Sequence, residues 1–376
     1  MIIMKVYADH AATTQLDKDA FEKMKPFLLN DFGNASQPYS FARTAKAALK
    51  AARATIARCI NALPEEIYFT SGGTESDNWA IKSIAFANND SSSIVTSQIE
   101  HHAILHVCKM LEKRGCSVTY IPPDSDGAIH PKILLKYLEN KINLISIMYA
   151  NNEIGTIQPI KQLCEIAHSK GVLFHTDAVQ AVGHIPIDVN DLNIDMLSAS
   201  AHKFNGPKGI GFLYIKKGTS ITSYIDGGAQ EFGLRAGTEN IASIVAMAVA
   251  LEKSCERMFL ANNHLMEMET LLISLLQNAD LDFIRNGGTK RIPGNISLSF
   301  NNVEGEMLLH RLDLMGISVS TGSACDSQNI QVSHVLRAIQ VPEKYAKGTI
   351  RISLGYENTK EEVTYIAQAL IKILKG

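Results

Sequence analysis

Residues 143–180 read NLISIMYANNEIGTIQPIKQLCEIAHSKGVLFHTDAVQ, and they indicate the fold class. Apolar runs with strand-like composition stand near its two ends, at 143–148 and 172–176. The run 159–170 between them begins with proline and stops before a glycine, as helices commonly do. A strand, a helix and a second strand in this order predict two parallel strands joined by a crossover helix.

Similar strand candidates flank this unit on both sides and extend the same rhythm. They lie at 66–70, 94–97, 117–121, 195–199 and 211–215. Most are separated by enough residues for a crossover helix, which predicts an α/β fold with a mainly parallel seven-stranded sheet. Residues 200–210 are too short and too broken by glycine and proline for a crossover, so we expect the last pair to be antiparallel.

The C-terminal part has a different pattern. Near 251–258 the alternation gives way to long helical runs and isolated strands such as 295–300. Thr359 and Glu362 form a T-x-x-E capping box before a last helix with one apolar face, formed by Val363, Ile366, Ala367, Leu370 and Leu374. We expect a large domain over 13–257 and a smaller α+β domain built from 1–12 and 258–376.

Composition excludes several functional classes. The chain has 376 residues, 46% of them hydrophobic, with 36 Lys+Arg against 38 Asp+Glu. This near-neutral charge favours neither nucleic acid nor an anionic membrane as a ligand. The N-terminus lacks the apolar core of a signal peptide, and no run reaches the ~20 apolar residues of a membrane helix. We therefore expect a cytoplasmic protein.

Six cysteines are scattered without a C-x-x-C pair. This spacing indicates neither a disulfide framework nor a zinc site, so no metal is expected. Cys59, Cys108, Cys164 and Cys255 are expected to be buried and chemically inert.

Residues 69–76, FTSGGTES, follow a strand candidate and begin an amphipathic helix. Free backbone amides at a helix start, close approach allowed by glycine and the Thr74 hydroxyl would together bind a phosphate. A plain tight turn is an equally good interpretation of this segment alone.

Asp177 and Lys203 each follow a buried strand candidate. A buried carboxylate needs a cationic partner or several donors, and a lysine in such a place can form a Schiff base. Taken singly, Asp177 could cap a turn, and Lys203 could be a surface residue. Lys208 is a competitor for the same role, although its Pro-Lys-Gly setting indicates an exposed turn.

The three signals gain strength together. A phosphate cradle, a buried carboxylate and an imine-forming lysine on one sheet are what pyridoxal 5'-phosphate requires.

The sequence resembles the cysteine desulfurases of the NifS/IscS type, which are fold-type I pyridoxal-phosphate enzymes of the class V aminotransferase-like family. The resemblance covers nearly the whole chain. The matching motifs lie at 7–14, 32–34, 70–78, 100–101, 151–155, 175–180, 200–203, 235–238, 320–325 and 351–355.

The resemblance implies a role for each matching residue around the cofactor ring. Lys203 matches the lysine that holds pyridoxal 5'-phosphate as a Schiff base and later moves protons. Asp177 matches the partner of the pyridinium nitrogen, and His101 matches an imidazole stacked on the ring that takes part in proton transfer. Gln180 matches the donor to the phenolic oxygen.

Other matches imply how the phosphate and the substrate are bound. The phosphate cup corresponds to Gly73, Thr74, Ser200 and His202. Thr238 matches a threonine that reaches the cofactor of a neighbouring subunit, which implies a homodimer.

Asn152 and Arg351 match residues that hold the α-carboxylate of L-cysteine, and Asn34 is a further candidate. Asn152 is also expected to contact the cofactor. Arginine suits this task because its planar fork donates two charge-assisted hydrogen bonds to a carboxylate.

Cys325 is the residue that implies desulfuration. It lies in the polar run 320–331, which is typical of an exposed loop. By the resemblance its thiolate attacks the sulfur of L-cysteine, yielding L-alanine and a persulfide on Cys325. The persulfide then passes to a sulfur-acceptor protein, such as an iron–sulfur scaffold or a thiolation enzyme.

Two alternatives remain open from the sequence. One is a selenocysteine lyase or another pyridoxal-phosphate enzyme of the same fold. The other is a sulfur-relay or scaffold protein with a vestigial cofactor site. The chain also departs from its relatives at Phe232, where arginine is frequent, and at Tyr39, where histidine is common.

Asp326 stands where relatives commonly have an uncharged hydroxyl residue. A carboxylate beside a thiol disfavours the thiolate, which is the attacking form. We therefore predict that Asp326→Ser and Asp326→Thr turn over L-cysteine faster than the native protein, measured as alanine release. Equal or faster release by the native protein would contradict this prediction.

Overall fold

The computed structural model describes residues 4–87, 92–138, 141–321 and 332–376. Cys325 and Asp326 lie outside the described residues. The strands are β1 (Val6–Tyr7), β2 (Ile67–Thr70), β3 (Ser93–Ser97), β4 (Ser117–Ile121), β5 (Leu144–Ser146), β6 (Leu173–Asp177), β7 (Met196–Ser200), β8 (Gly211–Ile215), β9 (Phe283–Arg285), β10 (Asn295–Phe300), β11 (Ile317–Ser318) and β12 (Thr349–Ser353).

Helices cover these strands or connect them. They are α1 (Lys18–Leu29), α2 (Arg43–Cys59), α3 (Gly73–Ala87), α4 (His102–Glu112), α5 (Pro131–Lys136), α6 (Ile160–Ser169), α7 (Ile241–Asn278), α8 (Gly305–Leu314), α9 (His334–Ala338), α10 (Glu343–Ala346) and α11 (Lys360–Lys375). Short 3-10 turns add Ser40–Ala42, Pro64–Glu66, Ala201–Lys203 and Glu231–Gly233.

The largest sheet has the strand order β2-β8-β7-β6-β5-β3-β4. Pairs among β3, β4, β5, β6 and β7 are parallel, whereas β8 is antiparallel to both β7 and β2. The mainly parallel seven-stranded sheet and its antiparallel last pair are therefore confirmed. The inner parallel strands β3, β5, β6 and β7 are almost wholly buried because helices lie on their faces, whereas the edge strand β4 is mostly half-buried.

The C-terminal part contains an antiparallel sheet with the order β12-β10-β9. The N-terminal strand β1 pairs in parallel with β11, so the beginning of the chain joins this part. The capping box of α11 is present, since Thr359 and Glu362 each satisfy the other's backbone amide. Val363, Ile366, Ala367 and Leu370 on its apolar face are buried.

Two main apolar clusters lie on either side of this division. One packs helices against the large sheet, and the other joins Val6 and Ala8 to β10, β12, α8 and α11. Helix α7 contributes to both, because its first half contacts α1 and α2 while its second half contacts α11. The expected boundary at 257/258 falls inside this unbroken helix, and the domain division remains a prediction.

The cysteines only partly follow expectation. Cys108 and Cys164 are buried, as expected for inert thiols, and Cys116 is buried as well. Cys59 and Cys255 are half-buried instead, and their thiols are hydrogen-bonded to each other across the contact between α2 and α7. The prediction that both are buried was wrong because each lies at the edge of the core.

Among the helices of the described residues, none has the length and apolar composition required to cross a membrane.

Gly211 begins β8 where the backbone of the loop before α3 approaches it. A Cβ at this position would lie 2.4 Å from the carbonyl oxygen of Ala199 and 2.7 Å from the Cα atom of Gly72. We expect Gly211→Ala to lower the free energy of unfolding by about 2 kcal/mol or more, because backbone must move.

Gly209→Ala is the matched control. Gly209 has a φ of +78° and open space around its Cα, so alanine there would cost only about 1 kcal/mol of backbone strain. Urea unfolding of the two variants measures the difference, and equal losses would contradict the close-approach argument.

Candidate active site

A cavity of about 260 Å³ lies at the carboxyl ends of β6 and β7 and at the N-terminus of α3. Crevices at this edge of an open α/β sheet are the usual ligand sites. Most of the predicted site residues line it, namely Gly73, Thr74, His101, Asn152, Asp177, Gln180, Ser200, His202, Lys203 and Arg351.

Lys203 is the last residue of the 3-10 turn that follows β7. Its Nζ donates hydrogen bonds to the carbonyl oxygens of Ala11 at 2.6 Å and Ala12 at 2.8 Å. Its own carbonyl oxygen lies 2.9 Å from Nε2 of the half-buried His184. The backbone and amine of Lys203 are therefore both fixed, with the amine at the cavity wall.

Asp177 ends β6 and is buried. Its Oδ1 accepts a hydrogen bond from the backbone amide of Val179 at 2.9 Å. Burial raises the pKa of Asp177, and the nearby His101 and Lys203 oppose that rise. A buried carboxylate with this environment suits a cationic ring nitrogen, which would supply the missing positive charge.

His101 is the N-cap residue of α4, and its Nδ1 accepts the amide hydrogen of Ala103 at 3.2 Å. This contact leaves the ring proton on Nε2. Burial lowers the pKa of His101, although Asp177 opposes the shift. The imidazole is therefore neutral at pH 7, with an N–H that can serve proton transfer.

The start of α3 forms a cradle for an anion. Gly72 has a φ of +149°, and a Cβ on Gly73 would lie 2.5 Å from Cγ2 of Val179, so larger side chains do not fit there. Thr74 and Ser200 contribute hydroxyls to the same cavity. The first amides of the helix and its dipole favour a phosphate at this place.

His202 and Gln180 contact the N-terminal segment. Nδ1 of His202 lies 3.1 Å from the hydroxyl of Thr13, and Nε2 of Gln180 donates to the carbonyl oxygen of Ala11 at 3.0 Å. Burial and the charges of Lys203 and Lys208 lower the pKa of His202 to about 4, so its ring is neutral. Lys208 itself is exposed, as its setting predicted.

These residues fit pyridoxal 5'-phosphate. One end of the cavity has a glycine cradle with hydroxyls, its wall has a lysine amine, and its floor has a buried carboxylate. This donor set matches the three groups of the cofactor: its phosphate, its aldehyde and its ring nitrogen.

Arg351 in β12 comes from the C-terminal part and is buried in the cavity wall. Its Nη1 donates to the carbonyl oxygen of Asn152 at 3.0 Å. Its Nη2 forms an ion pair with Oδ1 of Asp9 at 2.7 Å. Sequence reasoning brought Arg351 to the site but did not find Asp9.

Asn34 and Thr238 do not line this cavity, although both are described. Asn34 is half-buried, and its Oδ1 accepts the amide hydrogen of Ser36 at 2.9 Å. Thr238 is exposed. The Cys325 prediction lies outside the described residues.

A buried polar chain below the cavity was also missed. Nδ1 of His175 lies 2.9 Å from the hydroxyl of Ser146, and Nε2 lies 3.0 Å from the hydroxyl of Ser198. Ser198 is hydrogen-bonded to Asp77, which lines the cavity from α3. Burial lowers the pKa of His175 to about 3, so this histidine is neutral.

Asp77 is buried beside Asp177, and burial followed by the charge of Asp177 raises its pKa well above the ordinary value. The available signal was an acidic residue near the start of α3, inside the motif 70–78. It could not be interpreted from the sequence because its partners come from β5, β6 and β7.

Glu100 precedes α4 and is fully buried. Its two carboxylate oxygens accept the amide hydrogen of Met148, each at 3.0 Å, and Oε1 accepts the hydroxyl of Ser97 at 2.5 Å. Burial raises the pKa of Glu100 from 4.5 to about 8. The folded protein therefore keeps this proton at pH values where the unfolded chain has lost it.

We predict a pH-dependent effect of Glu100→Gln. Because the folded pKa lies above the unfolded one, the native protein loses stability as the pH rises from about 4.5 to about 8. The glutamine variant lacks this contribution, so its free energy of unfolding falls less over that range. Urea unfolding at several pH values tests this, with the exposed Glu65→Gln as control, and parallel curves for Glu100→Gln and the native protein would contradict it.

Comparisons with known proteins agree with this geometry. The Aminotransferase class-V family matches residues 6–366. The cysteine desulfurase IscS of Dictyoglomus turgidum is 50% identical over 373 residues, covering 99% of this chain and 95% of that protein.

Solved structures are similar over most of their length. A NifS-like protein has a TM-score of 0.93 and 39% identity, covering 99% of this chain and 100% of that chain. A structure described as SspA in complex with cysteine has a TM-score of 0.84 and 36% identity, covering 94% of this chain and 100% of that chain. This protein therefore belongs to the class-V aminotransferase family of pyridoxal-phosphate enzymes, in its NifS/IscS-type branch.

Proposed function

We propose that this protein is a pyridoxal-phosphate-dependent cysteine desulfurase. It converts L-cysteine to L-alanine and leaves the sulfur as a persulfide on Cys325. The observation that carries the proposal is that Lys203, Asp177, His101 and Arg351 meet in one cavity. The relative from Dictyoglomus turgidum, half identical over nearly the full chain, bears the same activity in its name.

Pyridoxal 5'-phosphate bound through Lys203 supplies an electron sink that acidifies the α-proton of an amino acid. Asp177 keeps the ring nitrogen protonated, because a buried carboxylate stabilises a cation beside it. Gly73, Thr74, Ser200 and His202 surround the position proposed for the phosphate. Gln180 is proposed to donate to the phenolic oxygen.

Arg351 and Asn152 hold the substrate carboxylate in this proposal. Arg351 is buried and cationic, and Asn152 lines the same wall. With the cofactor bound, Nζ of Lys203 would take the proton from the α-carbon of the substrate. His101 is placed to assist, since its neutral ring carries a proton on Nε2.

Sulfur transfer is assigned to Cys325. Its thiolate attacks the substrate sulfur, so a sulfur–sulfur bond forms while the bond from sulfur to the β-carbon breaks. The β-carbon takes up a proton, and the net products are L-alanine and the Cys325 persulfide. An acceptor protein then removes the outer sulfur for iron–sulfur cluster assembly or thiolation.

We further propose that the protein is a cytoplasmic homodimer. Each subunit has a large domain, 13–257, and a small domain formed by 1–12 and 258–376. Two separate apolar clusters support the division. The exposed position of Thr238 supports its proposed reach to a neighbouring subunit's cofactor.

Lys203→Ala and Cys325→Ala test the proposal at its two covalent steps. We expect Lys203→Ala to lose the visible absorbance of the bound cofactor and to release alanine about 100-fold more slowly or worse. Cys325→Ala should keep the absorbance but form no protein persulfide and release no sulfide from L-cysteine.

Cys255→Ser is the control, because Cys255 is half-buried in α7, is not among the residues that line the cavity and should change neither readout. Native rates of sulfide release by Cys325→Ala would contradict the proposed sulfur transfer. An unchanged spectrum in Lys203→Ala would contradict the proposed tether.

A further inference from the structure

The geometry points to Asp9 as a positioning residue that sets the orientation of Arg351 for the α-carboxylate of the substrate. This inference rests on the proposed function, because it concerns how a carboxylate-bearing amino acid is selected. It adds a residue from the N-terminal segment to the site.

Arg351 has hydrogen-bond donors that its contacts with the described residues leave unused. A guanidinium has five N–H donors. One on Nη1 goes to the carbonyl oxygen of Asn152 and one on Nη2 goes to Asp9, while the buried Nε has no hydrogen-bond partner among the described residues. Each Nη group keeps a second N–H beyond these two bonds. Because Arg351 lines the cavity, these Nη hydrogens are available to an incoming carboxylate.

Asp9 is itself held in place by its backbone neighbours. Asp9 forms an isolated parallel β-bridge with Ser353. The amide of His10 donates to the carbonyl oxygen of Ser353 at 3.0 Å, and the amide of Ala11 donates to its hydroxyl at 2.9 Å. Ser353 and Arg351 are two residues apart in β12 and so lie on the same face of that strand. The carboxylate of Asp9 is thereby fixed beside the guanidinium.

Asp9 lies close in the sequence to the acceptors of the Lys203 amine. Two and three residues after Asp9, the carbonyl oxygens of Ala11 and Ala12 accept hydrogen bonds from Lys203. One short segment thus touches both the amine that exchanges with the substrate and the arginine that binds its carboxylate. Asp9 couples the position of the fork to that of the lysine.

The position of the Asp9 side chain and its negative charge predict different effects on carboxylate binding. Asp9 carries a negative charge, which by itself repels a second carboxylate from Arg351. If Asp9 acts by position, an uncharged acceptor of the same length should suffice. A charged acceptor that is one methylene longer should rotate the guanidinium of Arg351 out of the orientation that binds the substrate carboxylate.

The test compares binding of L-alanine with binding of ethylamine, which is L-alanine without the carboxylate. Each is titrated against the cofactor-loaded protein, and the shift in cofactor absorbance gives the dissociation constants without turnover. The dissociation constant of ethylamine divided by that of L-alanine measures how much the carboxylate contributes to binding in each variant. Changes in folding or in cofactor loading affect both constants and cancel in this ratio.

We expect Asp9→Glu to reduce this ratio about 10-fold, the size of one charge-assisted hydrogen bond. Asp9→Asn should retain the native ratio within about threefold, because its side-chain oxygen still accepts from Nη2. Asp191→Asn removes an exposed carboxylate that pairs with Lys161 and should change nothing.

Two results would overturn the inference: a native ratio in Asp9→Glu, or an equal loss in Asp9→Asn and Asp9→Glu. Arg351→Gln, which removes the positive charge, separates this failure from failure of the proposed function. If Arg351→Gln keeps the native ratio, Arg351 does not bind the carboxylate, and that part of the proposed function fails. If Arg351→Gln loses the ratio while Asp9→Glu keeps it, only the role of Asp9 fails.

Discussion

The two hydrogen bonds from Lys203 to the carbonyl oxygens of Ala11 and Ala12 hold the site together. A lysine after a buried strand would otherwise have to place its charge in an apolar wall, which is unfavourable. The N-terminal segment supplies the acceptors because β1 pairs with β11 and carries the next residues across to the large sheet. The strand pairing and the position of the amine therefore depend on each other.

The same region concentrates buried acids. Asp77, Glu100 and Asp177 are each buried, and burial raises the pKa of all three. Their proximity makes further ionisation unfavourable, so a cation bound next to Asp177 would be strongly favoured. The serine and histidine chain beneath them satisfies polar groups without adding charge, because His175 is neutral.

Much of the fold could be predicted because its signals are local. Apolar runs of strand length, the proline that precedes α6 and the capping box of α11 all act within a few residues. Glycines at the start of α3 likewise mark a close approach that only small residues allow. Lys203 and Asp177 could be identified because each follows a strand in the sequence itself.

Contacts between distant residues were beyond such reasoning. The pairing of Asp9 with Arg351 joins residues 342 positions apart. The sequence around each of these residues contains no local signal for this contact. The pairing of Cys59 with Cys255 across two helices was missed for the same reason. The sequence by itself determined which side chains are proposed to carry chemistry and which elements present them. Only the tertiary structure decided which backbone carbonyls and carboxylates orient them, because these partners are chosen by the packing of the N-terminal segment between two sheets.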